Sequence, residues 1–267
     1  MTAQLIDGKA IAAELRSHIR DAVARFNKPP SLATVLVGDN PASALYVQNK
    51  LKACAEVGIK GHLVSLPVDV AASTLQSRMS ALSNDPGITG ILLQLPLPEG
   101  LNAQSFISLI APEKDVDGLG AVNYGLLAAG QPAHVPCTPL GCLYLIKKVM
   151  PQLAGKHAVV LGRSRLVGRP MAELLLQANC TVTIAHSKTP DLPAVTRSAD
   201  IVVAAVGQPA LVKAGWIKPG AVVIDVGINR IGTRVCGDVD YDAVREVAGA
   251  LTPVPGGVGP MTVAMLM

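Results

Sequence analysis

No apolar run in this chain approaches the eighteen or so residues a membrane span needs, although half of its 267 residues are hydrophobic. Aromatics are nearly missing, with one Trp, two Phe and four Tyr, so any core must be aliphatic. That balance suits a parallel α/β protein, whose strands are buried on both faces and read as runs of Val, Leu, Ile and Ala. The five cysteines (Cys54, Cys137, Cys142, Cys180, Cys236) are odd in number and form no Cys-x-x-Cys pair. Neither a disulfide framework nor a metal site is indicated, and reduced thiols in the cytoplasm are expected. Charge is sparse as well: the net +4 is spread along the chain. It suits small anionic ligands and is too diffuse to argue for nucleic acid. The N-terminal stretch to Phe26 carries Asp7, Glu14 and Asp21. It lacks the apolar core of a signal peptide and the acid-free face of a transit peptide, so no membrane role is expected and the segment is read as the first helix of the mature fold.

What is present is an alternation of strand and helix patterns in two sets, at a length that allows one large domain or two modest ones. The first set reads as a helix over 8–26, a strand over 32–37, a helix over 42–57, a strand over 60–66, a helix over 73–82 and a strand over 88–93. Asn40 and Pro41 are start signals for the second helix, and Gly58 closes it. From Gln94 to Pro139 the sequence is rich in Pro and Gly, apart from a helix near 103–110. The second set begins with a helix over 140–150 and has strands over 157–161, 181–185, 201–205 and 221–225. Strands alternating with helices predict a parallel sheet. A last helix is expected from Val263, and because Met267 leaves it about one turn, the native protein is expected to continue.

One turn carries the strongest chemical signal. Gly162-Arg163-Ser164-Arg165-Leu166-Val167-Gly168-Arg169-Pro170 stands between the strand 157–161 and a helix beginning at Met171. Strand, tight small-residue turn and helix in that order make a dinucleotide-binding βαβ entry, where a pyrophosphate meets backbone N–H groups and the positive helix end. It is a variant: Ser164 replaces the usual second glycine and the closing glycine comes one residue late, at Gly168. NAD-preferring folds place an acidic side chain about 20 residues beyond the glycines. Here the next strand runs instead into His186-Ser187-Lys188-Thr189, with no carboxylate. Ser187 can hydrogen-bond a 2′-phosphate, and Arg163 and Lys188 can neutralise one, which favours NADP over NAD. The same segment also reads as a polar loop with Lys188 in water.

Three further groups stand at strand ends. Ser43, Tyr46 and Lys50 share one helix face; burial there would ease deprotonation of the lysine, while a solvated amphipathic face fits the same spacing. Gln94, in Gln94-Leu95-Pro96-Leu97-Pro98, directly follows an apolar strand, where open parallel sheets bind ligands, so Lys50 and Gln94 could share a cleft. Asp115 and Asp117, in Lys114-Asp115-Val116-Asp117-Gly118, could cap turns, accept hydrogen bonds from a ligand ring or bind a metal, the metal being the weakest of the three. The Gly/Pro run Pro255–Pro260 suits the close approach of a flat ligand.

These segments, with Val37–Ser43, Tyr46–Lys50, Pro136-Cys137-Thr138-Pro139 and Pro255–Thr262, lie in one order along nearly the whole chain. In that order the chain resembles the bifunctional methylenetetrahydrofolate dehydrogenase/methenyltetrahydrofolate cyclohydrolase family. The resemblance implies a two-domain α/β fold: an N-terminal α/β catalytic domain over 1–120, completed by a C-terminal helix beginning near 260, and a Rossmann-type NADP-binding domain with a parallel sheet over 140–250, with a cleft between them. It implies NADP-dependent oxidation of methylenetetrahydrofolate, hydrolysis of the methenyl product to formyltetrahydrofolate, tetrahydrofolate derivatives as small-molecule substrates, and a homodimer. Lys50 would be the catalytic lysine, Tyr46 would stack on the folate, Gln94 would support Lys50, and Asp117 would hold the pterin ring. Gly162, Arg163, Ser164, Ser187 and Ile228 would contact the cofactor, and Gly259 and Pro260 would line the folate pocket. Arg165-Leu166 departs from the family's commoner Asn-Ile. Two other readings remain at this point: a two-domain dehydrogenase of the shikimate or amino-acid type using Lys50 and Asp117, and a sensor that binds NADP without turnover.

Overall fold

A computed structural model describes residues 2–232 and 234–267. The chain divides into two units. One joins the N-terminal segment up to Ala13 to Pro136–Met265; the other comprises Glu14–Val135 with Leu266–Met267. The boundaries expected from sequence are 1–120 and 140–250.

The chain opens with β1 (Gln4–Leu5) and α1 (Gly8–Val23). In the unit formed by Glu14–Val135, β2 (Ser31–Val37), α2 (Pro41–Val57), β3 (Lys60–Leu66), α3 (Ala72–Asn84) and β4 (Gly90–Leu93) alternate, and α4 (Ala103–Ile107) and α5 (Ala121–Ala128) come after them. The three strands form a parallel sheet in the order β3-β2-β4. All seven residues of β2 are buried, as a central strand covered on both faces requires. Ala33, Val35 and Val37 pack with Leu75 and Met79 of α3, Ile91 of β4 and Phe106 of α4. Each large aliphatic side chain taken fully from water contributes about 1.5–3 kcal/mol. Helix α2 begins and ends as its sequence dictates. The Asn40 side chain accepts from the amides of Ala42 and Ser43 at 3.0 and 3.1 Å, Pro41 occupies the first turn, and Gly58 closes the helix in the left-handed region at φ +85°.

The other unit contains α6 (Cys137–Val149), β5 (His157–Leu161), α7 (Gly168–Gln177), β6 (Thr181–Ala185), α8 (Leu192–Arg197), β7 (Ile201–Ala204) and β8 (Val222–Asp225). Next come an antiparallel hairpin of β9 (Asn229–Ile231) and β10 (Arg234–Cys236), then α9 (Tyr241–Val244), β11 (Ala250–Leu251) and α10 (Val258–Leu266). Six strands form one parallel sheet in the order β1-β11-β8-β7-β5-β6. The order in which successive strands are added reverses at β5, with β6 on one side and β7 on the other. That is the topological switch point, at whose carboxyl ends a doubly wound sheet binds its ligand.

Several short elements escape the sequence patterns. Helix α5 lies in a stretch read as loop, because Gly120 and Gly125 dilute its pattern and no side chain caps its start. The β9–β10 hairpin, α8, α9 and the two-residue strands β1 and β11 are too short to show a period. Helix α10 begins at Val258, five residues before the expected Val263. Gly259 and Pro260 therefore stand in its first turn, where a missing N–H costs nothing. Helix α1 ends at Val23 rather than Phe26; the amides of Arg25 and Phe26 turn back to the carbonyls of Ala22 and Val23 in a tightened last turn.

Candidate active site

In the smaller unit, α2 and the segment after β4 both leave the carboxyl ends of parallel strands. There the Lys50 Nζ donates to the Gln94 Oε1 at 3.0 Å. The other end of the same amide, Nε2, donates to the Leu95 carbonyl at 2.6 Å, which fixes the oxygen toward the lysine. Lys50 is half-buried. Tyr46 precedes it by one turn and is 44 % exposed. Ser43, on the same helix face, is buried.

The paired carboxylates of the next motif divide their work. Asp115 is buried and accepts from the amides of Leu119 and Gly120 at 3.3 and 2.8 Å and from the Asn123 Nδ2 at 3.0 Å. It also bridges to Ile91 of β4. Asp115 thus builds the loop, and Asp117, two residues on, is partly exposed. Among the described residues no group of His, Cys, Asp and Glu is placed to hold a metal.

In the larger unit, an open groove of about 540 Å³ lies over the carboxyl ends of β5, β6 and β7. Gly162, Arg163, Ser164 and Ser187 line it together, with His186 and Gln208 beside them. The glycines are required by close approach. Gly162 has φ +114°, and a Cβ there would collide with the Ala205 carbonyl oxygen; a Cβ on Gly168 would collide with the Gly162 carbonyl oxygen. The Ser164 Oγ accepts from the amides of Val167 and Gly168 at 3.1 and 3.3 Å, so the residue in place of the second glycine ties the turn to the first amide of α7. After β6, the amide of Thr189 donates to the His186 carbonyl at 2.8 Å, closing a turn that leaves Ser187 and Lys188 exposed. Among the described residues no Asp or Glu lines the groove, and Arg163 is its only formally charged side chain. These residues fit an anionic dinucleotide: small at the pyrophosphate turn, cationic and hydroxylated where a 2′-phosphate would come.

Ile228 lies outside this groove lining, 54 % exposed just before β9. Gly259 and Pro260 belong to α10 in the same unit as the groove, whereas Lys50, Tyr46, Gln94 and Asp117 belong to the other.

Two carboxylates near the groove were not singled out by sequence reasoning. Asp225, at the end of β8, is 3 % exposed and Asp238, after β10, is fully buried. Burial pushes the Asp225 carboxyl up to about 6, the amides of Asp238, Val239 and Gly227 pull the other way, and the negative charge of Asp238 adds to the rise. The available signal was the pair of short motifs Asp225-Val226-Gly227 and Gly237-Asp238-Val239, each setting a glycine within two residues of an acid.

A doubly wound parallel sheet, a glycine turn opening a helix and a carboxylate-free groove at the switch point are the features of a dinucleotide-binding protein. Residues 136–267 match the family model of the tetrahydrofolate dehydrogenase/cyclohydrolase NAD(P)-binding domain, and residues 6–117 match that of the catalytic domain. Over 276 residues the chain is 54% identical to the bifunctional protein FolD of Dichelobacter nodosus, covering 100% of this chain and 95% of that protein. The bifunctional methylenetetrahydrofolate dehydrogenase/cyclohydrolase FolD of Campylobacter jejuni superposes with a TM-score of 0.95 at 42% identity, covering 99% of this chain and 95% of that one. The Trypanosoma brucei dehydrogenase-cyclohydrolase, solved with NADP cofactor and an inhibitor, gives a TM-score of 0.95 at 40% identity over 100% of this chain and 95% of that one. The chain belongs to the tetrahydrofolate dehydrogenase/cyclohydrolase family. It is a bifunctional enzyme of one-carbon metabolism that oxidises methylenetetrahydrofolate with a nicotinamide dinucleotide and hydrolyses the methenyl product to formyltetrahydrofolate.

Proposed function

We propose that Lys50 is the acid–base residue of this enzyme, oriented by Gln94, and that the dinucleotide is NADP. The observation that carries the reading is the 3.0 Å hydrogen bond from the Lys50 Nζ to the Gln94 Oε1. Bound NADP supplies the hydride acceptor for the oxidation. In the hydrolysis, the neutral lysine amine takes a proton from the water that attacks the cationic methenyl carbon. The resulting ammonium delivers that proton to the ring nitrogen as its carbon–nitrogen bond breaks. Gln94 supports both halves because its carbonyl accepts from either protonation state of the amine. Tyr46 stacks on the folate ring, and Asp117 accepts hydrogen bonds from the pterin edge.

For the cofactor, Gly162 and Ser164 shape the pyrophosphate turn, Arg163 and Ser187 hold the 2′-phosphate, and Ile228 packs against the bound dinucleotide. The absence of a carboxylate from the groove lining, among the described residues, supports NADP over NAD. The chain also works as a cytoplasmic homodimer in this reading, a state that sedimentation of the purified protein would report directly.

The test uses purified protein with methylenetetrahydrofolate and either NADP or NAD, following reduced cofactor and methenyl product, alongside Lys50→Met. The wild type is expected to reduce NADP in preference to NAD with little methenyl accumulation. Lys50→Met is expected to lose cyclohydrolase turnover by at least about 100-fold, within the range for a positioned acid–base group. Near-normal hydrolysis in Lys50→Met sinks the lysine assignment, and a preference for NAD sinks the cofactor assignment.

A further inference from the structure

The loop after β7, Val206–Gln208, forms part of the groove wall through Val206 and Gln208. Its shape is set from behind. The Asp238 Oδ2 accepts from the amides of Val206 and Gly207 at 2.7 and 2.9 Å, and its Oδ1 accepts from the amide of Gln208 at 2.9 Å. Three successive amides closing on one anion, with Gly207 at φ +66°, make a nest of the kind that elsewhere receives a phosphate. Here the protein's own carboxylate fills it. The loop is therefore held in place before any ligand arrives, and these three amides are not free to meet a pyrophosphate.

Asp238 has a second attachment. Its Oδ1 also accepts from the Asn229 Nδ2 at 2.9 Å, at the start of β9 and next to Ile228. One fully buried carboxylate thus ties together the segments after β7 and β8, both at the carboxyl edge of the sheet. Among the described residues no cation pairs with it, so four N–H donors alone satisfy its charge. Asp225 fixes Asp238 in turn: its Oδ1 accepts from the Asp238 amide at 2.9 Å and its Oδ2 from the Val239 amide at 2.9 Å.

We infer that Asp238 is a positioning residue for the dehydrogenase reaction, holding the Val206–Gln208 wall and the Ile228–Asn229 segment in the arrangement the dinucleotide requires. The inference rests on the reading of this groove as the NADP site. Pre-organisation of this kind lowers the ordering cost of binding, and removing the charged acceptor leaves buried amides without a proper partner. The effect belongs to the dinucleotide, so the hydrolytic reaction, which uses none, provides the internal control.

The experiment measures both activities and NADP affinity by titration in wild type, Asp238→Asn and Asn229→Ala. In Asp238→Asn the KM and Kd for NADP are expected to rise at least ten-fold, while cyclohydrolase activity assayed without dinucleotide changes less than about two-fold. Asn229→Ala leaves the three loop amides bonded and is expected to raise the KM for NADP about two- to five-fold, which keeps the question decidable should Asp238→Asn fold poorly. An unchanged KM for NADP in both variants, or a parallel loss of both activities in Asn229→Ala, overturns the role of Asp238. Failure of the wild type to bind or reduce NADP overturns the groove assignment and this inference with it.

Discussion

Gln94 accepts from Lys50 with a carbonyl oxygen, and a carboxylate in the same place would hold the ammonium by charge as well as by geometry. Gln94→Glu should therefore stabilise protonated lysine and withhold the base. Cyclohydrolase activity is expected to fall at least ten-fold at neutral pH and to recover partly as the pH is raised toward about 10, the lysine range. A pH–rate profile checks this, and a profile superposing on that of the wild type sets the argument aside. Lys50 and Gln94 were legible as residues because each comes after a strand end in an ordered series of motifs. Asp238 was not, because a carboxylate that organises backbone amides from inside leaves no spacing pattern. Asp115 shows the same limit: spacing gave it the same readings as Asp117, the resemblance alone singled out Asp117, and burial and three donors show that Asp115 builds the loop.

Among elements, the turn leading into α7 carries the most consequence for little sequence. A Cβ on Gly168 would collide with the Gly162 carbonyl oxygen and lie 2.8 Å from the Arg163 amide nitrogen, both backbone atoms that cannot swing aside. Gly168→Ala must open the turn. It is expected to raise the KM for the dinucleotide at least ten-fold and, through strain of about 1–3 kcal/mol, to lower the melting temperature by several degrees. Thermal unfolding and a cofactor titration check both; an unchanged KM would mean the turn is not where the pyrophosphate sits. The longer elements were readable because they announce themselves: β3 falls on the bounds its pattern gave, and α2 was marked by Asn40, Pro41 and Gly58. Among the short elements, strands that are continuous apolar runs, such as β5 and β7, could be read, whereas α8, α9 and the two- and three-residue strands show neither a run nor a period. The β9–β10 hairpin is anchored at its first residue, where Asn229 is bonded to Asp238, a contact invisible to any short stretch of sequence taken alone.

For the molecule as a whole, Asp225 links stability to pH. Its carboxyl is pushed from its ordinary 3.8 up to about 6, chiefly by burial. The folded state thus retains the proton over a range where the unfolded chain has released it. The stabilisation is complete below the unfolded value and is lost as pH rises through about 6. Asp225→Asn abolishes the titration. Between pH 5 and 7.5 the wild type is expected to lose roughly 1 kcal/mol relative to this variant, measured as the difference in urea unfolding free energy. A difference that stays constant over that interval would clear Asp225 of the effect.

The pairing of β1 with β11, Gln4 with Ala250 and Leu5 with Leu251, bears on how the protein is made. The edge of the six-stranded sheet joins residues far apart in the chain, so its closure carries a large loop entropy. Glu14–Val135 is continuous and contains a complete three-stranded sheet, so during synthesis it can assemble while the ribosome is still adding the second half. Until Leu251 emerges, β1 has no partner strand. Gln4 and Leu5 are thus translated long before the strand that receives them.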